Sequence, residues 1–232
     1  MLWREEKRMF RRDYIVRMIE DMTAMIAKVF DLKQQRKTTE ALWEVDELLN
    51  KHFRLNSRLL NSLSVEDIIE IFRLGGGIEV DKLQGMARLL YEEGSIYAAA
   101  DQIPEALPRM MKALHLYLYA ALHGADRELL GLPEEIDDCL KNVEAYRLPA
   151  KTERLLMSYM ESIGRYGKAE DSLYRLKEQG EPVAKEGEEL YDRLLDKDPA
   201  ELERGNLPLE EVRQGRQEWL KLNRETKEAG IQ

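Results

Sequence analysis

Few residues of this chain have types that readily do chemistry: three histidines, one cysteine, one run of glycines and several adjacent carboxylates. His115 and His123 stand eight residues apart in one helical stretch. That is roughly 12 Å along a helix axis, too far for one metal ion. No His-Glu-x-x-His motif occurs, so these two and His52 read as packed or capping histidines. Leu74-Gly75-Gly76-Gly77-Ile78 is the glycine-rich loop. A phosphate cradle needs backbone N–H groups at a helix start with Lys and Ser/Thr beside them. Gly-Lys-Ser/Thr is absent here, so the loop reads as a helix stop and a hinge near 75–80. Glu92-Glu93, Glu134-Glu135 and Asp137-Asp138 are carboxylate pairs. Neighbours on a helix point in different directions, so the expectation is solvated charge rather than acid/base couples. Cys139 follows Asp138 with no basic neighbour to lower its pKa, and reads as a buried inert thiol. No catalytic, cofactor-binding or metal-binding residue is assigned.

The elements that must carry these residues are helices. Apolar residues recur at steps of three and four from Tyr14 to Lys33, with Ile15, Ile19, Met22, Ile26 and Val29 on one face and Met18, Met25 and Leu32 beside it. Thr38 or Thr39 is the expected cap of a second helix holding Ala41, Leu42, Val45, Leu48 and Leu49. A helix begun at Ser64 ends at the glycines, with Asp67 making an incomplete capping box. Asp81 is expected to cap the next helix, and Glu93-Gly94 to close it. Ile103 to Leu122 is the most hydrophobic helix and is expected to be buried on several sides. Further helices are expected from Pro133 to Val143, Leu155 to Ile163, Ala169 to Glu178, Val183 to Leu195 and Leu209 to Leu222. No strand-like alternation of useful length is present. The fold class is all-α.

One skeleton recurs near residues 41, 106 and 169: an apolar helical face, a short polar break, an alanine, then apolar residues four and seven positions on. It is clearest at Leu156, Met160, Gly164, Tyr166, Ala169, Leu173 and Leu176, with Pro182 beyond. In these residues the chain resembles the tetratricopeptide repeat. The three alanines are 65 and 63 residues apart, near two repeat units of 34. Glu153 stands where the family places a large aromatic, Met157 where it places a small residue, and Lys28 where it places a leucine. The resemblance implies antiparallel helical hairpins stacked as a short right-handed solenoid; an irregular helical bundle is the alternative. The opening Asp13-Tyr14-Ile15 also looks like an uncharacterised helical family of Gram-positive bacteria, which implies no activity. Such solenoids bind a peptide or partner helix on the surface made by their first helices. Tyr91, Arg88, Tyr159 and Arg154 occupy positions that would reach that surface, and Tyr and Arg are favoured interface anchors.

The chain has 232 residues and a formal charge of −9. The acidic balance excludes general nucleic-acid affinity. A single cysteine excludes a disulfide framework, and no apolar run is long enough to span a bilayer. The expected compartment is the cytoplasm. Residues 1–12 are read as a basic extension carrying Arg4, Lys7, Arg8, Arg11 and Arg12, 13–222 as a single helical-repeat domain, and 223–232 as a frayed tail. Trp3 with Phe10, or Trp219 with Leu220, would be the exposed patches if the chain self-associates. The function expected is a non-enzymatic protein- or peptide-binding module without cofactor. The alternatives are a small-molecule or signalling-peptide responsive regulator and, last, an enzyme with a dispersed active site.

Overall fold

A computed structural model describes the backbone of residues 2–229 and the side chains of residues 13–223. The side chains of the N-terminal basic cluster, with Trp3 and Phe10, therefore lie outside the described residues, as do the side chains beyond Asn223. The protein is all-α, with one two-residue hairpin as the strand structure among the described residues. Contacts gather into two compact units, Met1–Arg147 and Leu148–Gln232.

The first unit contains α1 (Leu2–Gln34), α2 (Thr38–Phe53), α3 (Ser57–Ser62), α4 (Val65–Ile71), β1 (Arg73–Leu74), β2 (Gly77–Ile78), α5 (Val80–Ala99), α6 (Ile103–Leu122) and α7 (Leu132–Val143). On α1 the buried stripe is Ile15, Met18, Met22, Met25 and Val29, while Ile19 and Ile26 are only half-buried. The alternating three- and four-residue step keeps one narrow face toward α2 and α5. Neither Thr38 nor Thr39 caps α2; Lys37 occupies the cap position without a side-chain bond. Ser64 and Asp67 do complete a capping box on α4, because the shorter Asp side chain still reaches the Ser64 N–H at 3.4 Å.

The glycine run forms a tight turn. β1 and β2 pair antiparallel across it, Arg73 opposite Ile78 and Leu74 opposite Gly77. Gly75 and Gly76 carry the turn at φ 61° and 88°, the left-handed region a two-residue hairpin demands. This paired turn stands where the sequence suggested a hinge.

Two expectations about α5 fail for reasons of packing. Asp81 lies in the first turn, after the cap, and its carboxylate accepts the Asp126 backbone N–H at 3.0 Å. Gly94 does not end the helix, which runs on to Ala99. It is where α5 crosses α6: a Cβ there would stand 2.8 Å from Met110 Cγ and 3.1 Å from the Ala106 carbonyl oxygen.

The second unit contains α8 (Ala150–Ser162), α9 (Tyr166–Glu178), α10 (Ala184–Leu195), α11 (Pro199–Arg204) and α12 (Leu209–Ala229). α11 is short and was not foreseen; Asp198 caps it and Pro199 opens it. α8 pairs with α9, and α10 with α12. Trp219 on α12 is fully buried rather than an exposed patch. Its indole N–H donates to the Ala184 carbonyl at 3.0 Å and its ring meets Tyr174 edge-on.

The recurrent skeleton has a structural counterpart. Ala41, Ala106 and Ala169 each sit in the first turns of the second helix of a hairpin, in α2, α6 and α9. All three are buried, as are Val45 and Leu48, Met110 and Ala113, and Leu173 and Leu176 four and seven residues on.

Candidate functional site

The carboxylate pair Glu92-Glu93 departs most from its expected role. Both side chains are buried in the first unit, and they face different neighbours, as adjacent residues on a helix must. Glu92 pairs with Arg88 at 2.7 Å and with Lys33 of α1 at 3.8 Å. Arg88 reaches on to Glu135 of α7, whose carboxylate also accepts from Tyr117 at 3.4 Å. Glu93 accepts from Ser57 at 2.5 Å, from Asn61 at 3.2 Å and from Arg109 of α6 at 2.7 Å. Burial works against the Arg109 charge, but Glu93 and Glu105 outweigh it and hold its pKa above the ordinary value. Lys112, one turn on, donates to the carbonyls of Asn61 and Leu63, both at 2.6 Å. These satisfy groups that the C-terminal end of α3 leaves orphaned. Burial pushes the Lys112 pKa down, with the Arg109 charge acting the same way. These contacts explain why six residues with one buried side chain, Leu60, hold as a helix.

Arg88 and Tyr91 are therefore built into the first unit. The Tyr91 hydroxyl accepts from Asn142 at 3.0 Å, and its pKa is pushed up to about 12, first by burial and then by Cys139 and Asp138. Arg154 and Tyr159 lie in the second unit. Arg154 bonds Glu181 at 2.9 Å and Glu186 at 3.1 Å, linking α8 to the start of α10. Tyr159 is 2% exposed, so it belongs to the core rather than to a partner-facing surface.

The histidines do not converge. His52 bonds Asp21 at 2.9 Å, His123 stacks on Tyr119, and His115 is buried on α6. Among the described residues no group of three or more His, Cys, Asp or Glu is placed to hold a metal ion. No described helix is long and apolar enough to cross a membrane. The Cys139 thiol donates to the Met110 carbonyl at 3.3 Å, and burial raises its pKa to about 12. The native protein is expected to leave a thiol-reactive disulfide reagent unconsumed at neutral pH, and to react fully once unfolded in guanidinium. Rapid labelling of the native chain would show that the thiol is accessible.

One open groove of about 800 Å³ lies in the second unit. The end of α8 supplies Ser158, Glu161 and Ser162; the α8–α9 turn supplies Gly164 and Arg165; Tyr166 opens α9; Lys197, Glu201 and Arg204 complete the wall. Both acids are already engaged. Glu161 takes a two-pronged bond from Arg193 at 2.7 and 2.8 Å, and Glu201 accepts from the Tyr166 hydroxyl and lies 3.6 Å from Lys197. The Tyr166 hydroxyl, followed by the Lys197 charge, holds the Glu201 pKa below the usual carboxylate value against burial. None of these groove residues except Tyr166 and Gly164 drew notice in the sequence, and those two only as repeat positions. They are spread over segments whose approach depends on α11.

These features define an all-α protein of paired helices with ion pairs built into its interior and a polar surface groove. The chain belongs to a family of unknown function, DUF6483, which matches residues 9–224. Neither a curated protein nor a solved structure matches it.

Proposed function

We propose that this protein is a non-enzymatic module of tetratricopeptide-like helical hairpins that binds a protein or peptide partner. The observation that carries this reading is the character of the Ser158–Arg204 groove, which is open and lined mainly by charged and hydroxyl side chains. Small-molecule sites enclose most of the ligand surface and are lined mainly by apolar groups. An open polar groove suits an extended polypeptide, which can bring several side chains to it at once. The burial of Ala41, Ala106 and Ala169 at equivalent places in three hairpins supports the repeat-like part of the reading. The regulator alternative has less to rest on, since the turn at Gly75 and Gly76 is paired by flanking strands.

Affinity capture with the full chain from a native lysate, followed by mass spectrometry of bound proteins and small molecules, tests the proposal. The expected result is a stoichiometric protein or peptide that survives washing. A tightly held metabolite without any polypeptide partner would overturn it.

A further inference from the structure

Resting on the binding-module reading, we propose that the groove at the α8–α9 turn docks an acidic peptide segment, with the Arg204 guanidinium and the Lys197 ammonium as its carboxylate-binding groups. Charge complementarity carries this choice of occupant. Arg165, Lys197 and Arg204 line the groove with Glu161 and Glu201. Arg193 satisfies Glu161 from beside the groove, and the Tyr166 hydroxyl, which is neutral, bonds Glu201. The carboxylates are thus provided with donors without drawing on Arg204, on a chain whose formal charge is −9.

In the second unit Arg154, Arg175, Arg193 and Arg216 each pair with a carboxylate at 2.7 to 3.1 Å. Arg204 is exposed and forms no such pair among the described residues, although its charge acts on both Tyr166 and Glu201. Its planar fork matches the geometry of a carboxylate. Lys197 is 40% exposed, and its 3.6 Å approach to Glu201 is long for a charged hydrogen bond, so it can turn to a second carboxylate. α9 begins at the groove with Arg165 at its cap position; the Gly167 N–H donates to the Gly205 carbonyl at 3.0 Å, and the Arg165 side chain makes no cap bond, so the helix start adds positive potential there. A single exposed ion pair adds little, so the fitting ligand presents several acidic side chains in a row.

The test is calorimetric titration of the full chain with three probes: a capped hexaglutamate peptide, a capped hexaglutamine peptide and sodium phosphate. Hexaglutamate is expected to bind and the other two not to. Arg204→Ala is expected to weaken hexaglutamate about tenfold, with Arg204→Lys between the two and the exposed Arg213→Ala unchanged. Raising the salt concentration weakens binding to wild type. Hexaglutamate binding unaffected by Arg204→Ala, or no hexaglutamate binding at all, overturns the proposal. Phosphate binding without peptide binding overturns it too and makes the groove a small-anion site. A cellular partner captured equally by wild type and Arg204→Ala would overturn the groove while leaving the binding-module reading intact.

Discussion

Replacing Gly187 by alanine is expected to lower the stability of the second unit by about 2–3 kcal/mol, the upper part of the range for forcing extra atoms into a packed core. In an exposed helix the same change would stabilise by about 1 kcal/mol, because alanine is the better helix former. Here the added Cβ would meet Cε2, Nε1 and Cζ2 of the Trp219 indole at far less than contact distance. Trp219 cannot easily move aside. It is fully buried, its N–H is held by the Ala184 carbonyl, Tyr174 packs edge-on against it and the Lys177 ammonium lies 4.7 Å above its ring. Urea unfolding followed by circular dichroism measures the effect. Trp219→Phe removes part of the indole, so Gly187→Ala should cost less in that background than in wild type. A higher unfolding midpoint for Gly187→Ala would mean that helix propensity outweighs the close packing of α10 on α12.

Glu93→Ala is expected to destabilise the first unit by about 3–5 kcal/mol, as removal of one partner of a buried ion pair does. The change leaves Arg109, 13% exposed, without its strongest partner, and takes an acceptor from Ser57 and Asn61. It should also loosen α3, since Glu93 and Lys112 together fasten that short helix to α5 and α6. Arg109 retains Glu105 at 2.9 Å, which places the effect toward the lower end of the range. Replacing Glu93 and Arg109 together by leucine should cost less than the sum of the two single changes, because no buried charge is then left alone. Limited proteolysis between residues 54 and 64 provides an independent readout of α3. Equal protection of wild type and Glu93→Ala, with unchanged urea midpoints, would show that the Glu93 contacts contribute no net stability.

The same two sites show where local sequence stops being informative. Gly94 followed Glu93 and a polar stretch, which is a common pattern for a helix terminus. Only the approach of α6 reveals that the missing side chain serves a crossing, so α5 runs five residues further. Glu92-Glu93 looked like solvated charge because, apart from Arg88 one turn away, their partners Lys33, Ser57, Asn61 and Arg109 lie 16 to 59 residues away in the chain. Tyr159 was expected at a surface from its place in the repeat-like skeleton and Trp219 from its place near the chain end, and both are buried. In contrast, α6 begins and ends at Ile103 and Leu122, as its proline-marked start and continuous apolar run require. The groove left almost no trace in the sequence, since its cations come from separate segments and one wall depends on a six-residue helix.

The amino-acid sequence by itself determined the helical class, most helix positions and the three buried alanines, because a helix records its buried face every three to four residues within its own length. The expectation of a buried cysteine at position 139 holds as well. The tertiary structure alone decided which charges are buried, which glycines are crossings and which cations share a groove. Those properties depend on the desolvation and close approach of groups far apart in the chain, and no local period encodes them.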